Sequence, residues 1–297
     1  MKTLSILIRR NTKLFFKDKG TFFTSLIAPL ILLLLFVTFL GSVYADSFHS
    51  CIPKGMGVTD KLVDGFVGGW LLSSLLAVCC VTVAFSANMI MVQDKVSGIR
   101  GDLTITPVKS SILSLSYYIS TALVTGIICL VAMGMGFLYL SKVGWYLSTG
   151  DMLYILLDVV LLVLFGTALS SVVCVFIKNQ GGVTAITTIV SAAYGFLCGA
   201  YMPISSFSKG IQSFIKFLPG TYGTSLLHNH YMRGCFAQMA DEGFPVEVID
   251  TIKEGFDNSL YLNDKLLSMG QCYLILGGTI IALIVLYLII NRLKNNG

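Results

Sequence analysis

Long apolar runs separated by short charged segments dominate the chain. Six runs reach the roughly 20 residues that an α-helix needs to cross a hydrocarbon core of about 30 Å. The predicted spans cover residues 22–44, 67–92, 112–140, 152–177, 183–202 and 271–290. The pattern therefore predicts an all-α integral membrane protein with six transmembrane helices in a single transmembrane domain.

Residues 1–20 predict a cytoplasmic interfacial helix that lies along the membrane surface. Apolar side chains recur on one helical face while basic residues occupy the remainder, as in helices that bind anionic headgroups. The residues assigned to this helix are Arg9, Arg10, Lys13, Phe15, Phe16 and Lys17. A plain basic tail is the alternative interpretation.

Residues 203–268, between the fifth and sixth spans, predict an outer re-entrant segment and a cap. Apolar residues in 203–218 recur near helical spacing, which indicates a helix at partial membrane depth or one that lies flat outside. Residues 221–268 are acidic and form the largest segment predicted to face water. We expect them to form a small cap.

Composition supports the membrane assignment and fixes an orientation. Apolar residues make up 55% of the chain and charged residues 12%, about half the charge of a soluble domain, with a mean hydropathy of +0.84. If the N-terminus is cytoplasmic, the inner segments hold twelve of the 20 basic residues and three of the 15 acidic ones. The positive-inside rule then places both termini of this multi-pass protein in the cytoplasm. Because the basic residues lie in short segments between spans, nucleic acid is not an expected partner.

One carboxylate, Asp158, falls inside the predicted fourth span. A charge in lipid is costly, so Asp158 is expected to line a substrate route or to pair with a neighbour such as Lys142. The alternative is that the span begins later and leaves it at the interface. Together with Asp158, three apolar or aromatic residues are candidates for the transport pathway: Phe85, Met89 and Tyr194.

The cysteines and histidines give weaker signals. Of the eight cysteines, Cys51 and Cys235 are the two predicted to lie outside, where an oxidising environment would permit a disulfide. The triplet His228-Asn229-His230 has no third ligand nearby in sequence, so no metal site is expected. No set of catalytic partners is apparent either.

The segment between the second and third spans, residues 93–109, predicts a structured cytoplasmic elbow. It combines mixed charge with Gly98 and Gly101 and ends in Thr106-Pro107, residues typical of turns. A simple connector is the alternative.

The order of these parts resembles the membrane subunit of type-2 ATP-binding cassette (ABC) exporters. The matching features are the basic helix that ends in Lys17-Asp18-Lys19-Gly20, Ala28-Pro29 in the first span, the 94–107 loop, Tyr201-Met202-Pro203 and Phe217-Leu218-Pro219-Gly220. The resemblance implies that the 94–107 loop couples to an ATPase. The implied coupling residues are Asp94, Lys95, Gly98, Ile99, Arg100, Asp102, Leu103, Thr106 and Pro107.

The resemblance also implies the partners. We expect two copies of a separate ABC ATPase, a second permease that is identical or paralogous, and membrane lipid. The chain contains no GxxxxGK[ST] phosphate loop, so ATP and Mg²⁺ would be bound by the ATPase and no cofactor by this chain. The implied re-entrant helix caps the exit of the pathway.

The expected function is export through the plasma membrane of an amphipathic or hydrophobic cargo, such as a drug, an antimicrobial peptide or a lipid-like toxin. A polysaccharide exporter is the related alternative. An ATP-independent channel or secondary transporter is the rival from another class, but it would favour more intramembrane charges and inverted repeats. A membrane-embedded enzyme would need a catalytic constellation.

Overall fold

The computed structural model describes residues 2–53, 56–106, 108–262 and 265–295. Within these ranges the chain is helical apart from its connecting turns and one short antiparallel pair, β1 (Tyr261–Leu262) with β2 (Lys265–Leu266). The predicted all-α membrane fold is confirmed. The helices are α1 (Lys2–Lys17), α2 (Lys19–Ser25), α3 (Ile27–Leu35), α4 (Gly41–Ser50), α5 (Asp60–Ala87), α6 (Met89–Val96), α7 (Ile99–Ile105), α8 (Ser110–Val143), α9 (Thr149–Phe176), α10 (Gln180–Leu197), α11 (Lys209–Lys216), α12 (Pro219–Asp241), α13 (Val246–Gly255) and α14 (Met269–Asn295). A π-helical turn (Phe36–Leu40) joins α3 to α4, and a 3₁₀ turn (Ile204–Ser206) precedes α11.

Five helical segments are long and apolar enough to cross a membrane: Lys19–Ser50, Asp60–Val96, Ser110–Val143, Thr149–Phe176 and Met269–Leu293. They coincide with five of the six predicted spans. The remaining span, predicted at 183–202, corresponds to α10, which ends at Leu197 and is rich in glycine and threonine. The count of six spans therefore stays a prediction.

Helix α5 forms the centre of the bundle. It packs against α3, α8, α9, α10 and α12. In the most apolar stretch of the Asp60–Val96 segment 89% of the residues are buried, against 17% in the corresponding stretches of the first and last spans. Close approach of α9 depends on Gly166, where an added Cβ would lie 2.6 Å from the carbonyl oxygen of Cys80. The first and last spans consequently expose most of their surface to lipid or to a partner.

Helix α12 corrects the prediction that residues 221–268 face water. Most of its first half is buried, and it packs against α5, α9 and α14. Gly223 allows this fit because an added Cβ there would lie 2.4 Å from Leu162. The outer cap therefore begins only after α12, with α13 and the β1–β2 pair.

The predicted helix over 203–218 is divided into two pieces. The 3₁₀ turn and α11 are separated by Phe207 and Ser208, and α12 begins at Pro219, whose missing N–H costs nothing in a first helical turn. This segment leads from the end of α10 back to the buried start of α12.

Candidate coupling segment and transport cavity

The interfacial helix α1 packs along α8. Leu7, Asn11 and Phe15 are buried in that contact. Of the predicted residues, Arg9, Lys13, Phe16 and Lys17 are exposed and Arg10 is half-buried. The buried face of the helix thus carries two apolar side chains with one amide between them, while the basic residues lie on its exposed and half-buried sides.

The predicted elbow consists of two short helices, α6 and α7, joined by a turn. Gly98, between the two helices, has a φ of +81°, a left-handed conformation that glycine adopts without steric cost. Helix α6 follows α5 after a break at Asn88, whose side-chain amide donates to Ser170 Oγ at 2.6 Å and Ser171 Oγ at 3.0 Å. These bonds tie the start of α6 to α9, and α6 and α7 together form the candidate coupling segment.

Asp94 lies inside the protein and connects three helices, and its predicted part in coupling to an ATPase stays a prediction. The residue is 3% exposed. Its carboxylate accepts hydrogen bonds from Arg10 Nη2 at 2.8 Å and from the Tyr117 hydroxyl at 2.6 Å. Because the three side chains come from α6, α1 and α8, Asp94 ties the interfacial helix and the third span to the coupling segment. The hydrogen bond with Asp94 raises the pKa of Arg10 above its usual range.

Two more predicted coupling residues connect to distant helices. Lys95 Nζ donates to the carbonyl oxygens of Val175 (3.2 Å) and Ile177 (2.9 Å), at the C-terminal end of α9. Arg100 Nη2 donates to Asn291 Oδ1 of α14 at 3.0 Å. These cations satisfy carbonyl and amide oxygens inside the protein, so they position the segment.

The exposed surface of the segment lies on α7. Ile99 is exposed and Ile105 is 85% exposed, with Gly101, Asp102 and Thr106 also exposed. The other predicted residues are Leu103, which packs on the core, and Pro107, which lies outside the described residues. Exposed isoleucines flanked by polar groups are typical of a surface that binds a protein.

A cavity of about 1200 Å³ lies between the first span (α2 to α4) and α10. One wall is an apolar stripe of Ile27, Ile31, Leu35 and Phe39. The opposite wall is a hydroxyl stripe on α10, with Thr184, Thr187, Thr188 and Ser191 at helical spacing. A molecule with one apolar and one hydrogen-bonding face would fit between the two walls.

The inner end of the cavity adjoins the coupling segment. Asp18, Met89 and Gln93 line it there, and Asp18 caps the N-terminus of α2 by accepting from Thr21 N at 3.1 Å and Thr21 Oγ1 at 2.7 Å. These hydrogen bonds, that from the Thr21 side chain first, lower the pKa of Asp18 below its ordinary value. The carboxylate therefore stays charged at neutral pH.

The structure brings Met89 to the cavity but not the other three pathway candidates. Phe85 and Tyr194 are buried in the core. Asp158 is fully buried, and its carboxylate binds His230 Nδ1 and the Tyr273 hydroxyl, each at 2.6 Å. Asp158 therefore pairs with other side chains, which was one of the expectations, but its partners are His230 and Tyr273 and not Lys142. It does not line the cavity.

The partners of Asp158 were missed because His230 lies on α12, a segment predicted to face water. Its ring stacks on Tyr154, with centroids 4.9 Å apart. His228, one helical turn from Ser225, instead places Nε2 3.1 Å from Ser74 Oγ. Because His228 and His230 are polar residues in an acidic segment, the sequence around them gives no indication that both are buried.

The predicted disulfide is not formed in the structure, where Cys51 and Cys235 are both free. Cys235 is buried on α12, and Cys51, just after α4, packs at the edge of the same hydrophobic cluster. Packing, without a crosslink, holds the first outer loop against α12.

Comparison with known proteins agrees with this architecture. The family model for ABC-2 type transporters matches residues 2–231, from α1 to the middle of α12, and so includes four of the five membrane-length helical segments. The search of curated proteins found no match. The matched residues include the coupling segment and both walls of the cavity. The chain therefore belongs to the ABC-2 type transporter family and is a multi-pass membrane permease component.

Proposed function

We propose that this chain is the permease subunit of an ATP-driven exporter that moves an amphipathic or hydrophobic cargo out of the cell. Permeases of this family pair with an ABC ATPase. The proposed complex contains two copies of the ATPase and a second permease, identical or paralogous. The observation that carries the proposal is the placement of the cavity directly beside an anchored coupling segment with an exposed apolar face.

The contacts of Asp94 suggest how movement would reach the cavity. A push on α7 by the ATPase is transmitted through Asp94 to α1 and α8, and through Lys95 and Arg100 to α9 and α14. Met89, in the same helix as Asp94, lines the cavity. The coupling segment and the inner end of the cavity therefore move together. ATP and Mg²⁺ would be bound by the ATPase.

The cavity walls support an amphipathic cargo. The apolar wall favours contact with a hydrocarbon surface, because that contact releases water from the wall and from the cargo. Thr184 and Thr188 donate their hydroxyl protons to backbone carbonyls, so their oxygens are left as acceptors. A polysaccharide would leave the apolar wall unmatched. Drugs, antimicrobial peptides and lipid-like toxins have the required two-sided character, and the charge asymmetry of the chain supports export across the plasma membrane with both termini inside.

The test combines association and transport. Ile105→Glu places a charge on the most exposed apolar side chain of α7, at its C-terminal end, whereas Val246→Glu places the same charge on the exposed start of α13 and serves as the matched control. We expect both variants to insert normally. The amount of ATPase that copurifies with tagged Ile105→Glu should be at least tenfold lower than the amount that copurifies with the tagged wild type.

The same variants should be compared in inside-out vesicles, with ATP and the fluorescent amphiphile rhodamine 6G added to the external medium. The wild type and Val246→Glu should accumulate the dye, and Ile105→Glu should not. Full association and uptake by Ile105→Glu would contradict the proposed coupling surface. Failure of any soluble ATPase to copurify with the wild type would contradict the proposed complex.

A further inference from the structure

A short loop closes the outer end of the cavity. After α10, residues 199–206 cross this end, and Tyr201, Met202 and Pro203 line the cavity from one side. Phe256, at the end of α13, faces them from the other side. The loop therefore lies where a cargo would leave for the outside.

The loop begins at a hinge. Gly199 has a φ of +74°, and the carbonyl oxygen of Gly195 accepts the N–H groups of both Ala200 and Tyr201 at 2.8 Å. A Cβ added to Gly199 would lie 3.2 Å from Asp257 Oδ2. The chain can thus reverse direction here, with its backbone close to a carboxylate.

Asp257 holds this loop from the opposite side. It is 6% exposed and has a φ of +58°, a left-handed conformation that Asp and Asn tolerate better than other side chains. Its Oδ2 accepts the N–H of Ile204 at 2.5 Å, and the Ser205 N–H also donates to the carboxylate. A second tie runs from the Tyr44 hydroxyl to the carbonyl oxygen of Tyr201.

We propose that Asp257 is the positioning residue of an outer gate: its carboxylate holds residues 199–206 across the outer end of the cavity, and release of these hydrogen bonds opens the cavity to the outside. The role of the gate in export rests on the proposed function; the hold of Asp257 on the loop does not.

The titration of Asp257 predicts how a change in pH shifts the gate between its closed and open states. Burial raises the pKa of Asp257 to about 7, although the N–H donors of Ile204 and Ser205 act against this. In an open gate the carboxyl would meet water and return towards about 3.9. The closed gate therefore binds a proton that the open gate releases, so rising pH favours opening and acid favours closure.

Among the described residues, the titratable groups around Asp257 come from three helices, and most of them already have partners. Helix α4 contributes the Tyr44 phenol, which interacts electrostatically with Asp257. On α13, Lys253 pairs with Asp250, and Glu254 accepts from the Tyr261 hydroxyl. On α12, Ser225 donates to the Asp257 carbonyl oxygen at 3.3 Å, and the nearby His228 is bonded to Ser74.

Two substitutions separate charge from hydrogen bonding. Asp257→Asn keeps the left-handed backbone and an oxygen acceptor but does not titrate. Asp257→Gly also accepts the backbone conformation but removes the acceptor. Asn should therefore keep a gate that is insensitive to pH, and Gly should leave the gate open.

The experiment follows labelling of the cavity from outside in sealed right-side-out vesicles. Ser191→Cys, on the hydroxyl wall, is the reporter in a full-length Cys51→Ser background, and a membrane-impermeant maleimide is the probe. Thr251→Cys, on the exposed face of α13, is the reference for the effect of pH on thiol reactivity. The measured quantity is the reporter rate divided by the reference rate.

This ratio should rise about tenfold between pH 5.5 and pH 8 in the chain with Asp257. It should be constant with pH in Asp257→Asn, and high at both pH values in Asp257→Gly. A pH dependence that persists in Asp257→Asn, or slow labelling in Asp257→Gly, would overturn the proposal. Because the assay needs neither ATPase nor cargo, its outcome is independent of the test of the proposed function.

Discussion

The bundle contains two buried carboxylates with similar partners at opposite ends. Asp94, in α6 at the end predicted to be cytoplasmic, forms the inner pair with Arg10 and also binds the Tyr117 hydroxyl. Asp158, in α9 towards the end predicted to lie outside, forms the outer pair with His230 and also binds the Tyr273 hydroxyl. Each links three helices and each uses a tyrosine at 2.6 Å. They differ in the nitrogen-bearing partner and in its access to water, because the Arg10 side chain is 29% exposed and that of His230 is 2% exposed.

This difference indicates different tasks. Arg10 remains charged at any physiological pH, and its planar group binds both oxygens of Asp94. Because it also reaches water, the inner pair can separate at moderate cost, which suits a joint that transmits movement. The outer pair has no access to water and holds α12 in place, so its cost of separation is high.

The largest effect is expected for Asp158→Ala. It removes the acceptor of two buried donors, and breaking a buried pair by deleting one partner typically costs about 3–5 kcal/mol. Thermal unfolding in detergent would measure the loss. Asp158→Asn, which keeps a side-chain oxygen for Tyr273, is the control and should lose clearly less. A loss in Asp158→Ala no larger than that in Asp94→Ala would contradict the higher cost of separating the outer pair.

Asp94→Ala should destabilise the protein less, by about 1–3 kcal/mol, because Arg10 can turn to water while the Tyr117 hydroxyl loses its acceptor. Transport should fall further than stability explains, since α1 and α8 are no longer tied to α6. Asp102→Ala, on the exposed face of α7, is the control for stability and should unfold like the wild type. Dye uptake at the wild-type rate in a folded Asp94→Ala would contradict the role of the inner pair as a joint.

Asp18 provides the smallest effect, as a carboxylate at an exposed helix N-terminus. Asp18→Ala removes the cap of α2 and should cost about 0.5–1 kcal/mol at neutral pH. Because Thr21 lowers the pKa of Asp18 in the folded state, this stabilisation is complete above the ordinary value near 3.9 and is lost as pH falls through the lowered pKa.

The check is the difference in unfolding temperature between wild type and Asp18→Ala, measured at pH 7 and at successively lower pH. The difference should shrink on acidification below about pH 4. Asp18→Asn, which can also cap a helix, should resemble the wild type at pH 7. A difference that grows in acid would show that the charge of Asp18 destabilises the fold.

Several features followed from the sequence alone. The apolar runs predicted α5, α8, α9 and α14 because a membrane span must satisfy its own backbone and cover its length with apolar side chains. The glycines and mixed charge of residues 93–109 likewise indicated a structured segment, and basic residues on one face indicated α1. These are local properties, which a single stretch of chain contains in full.

Only the tertiary structure decided which polar residues are inside. Asp94 resembles an exposed docking residue until Arg10, 84 positions away, is placed beside it, and α12 resembles a water-facing segment until His230 meets Asp158 across 72 positions. The tie between Asp257 and Ile204 spans 53 positions. A buried polar group is stable only when its partner is present, and that partner belongs to a different helix. The sequence therefore determined five membrane-length helical segments and the structured elbow between the second and third of them. Helix packing determined the burial of α12, the two carboxylate pairs and the loop over the cavity.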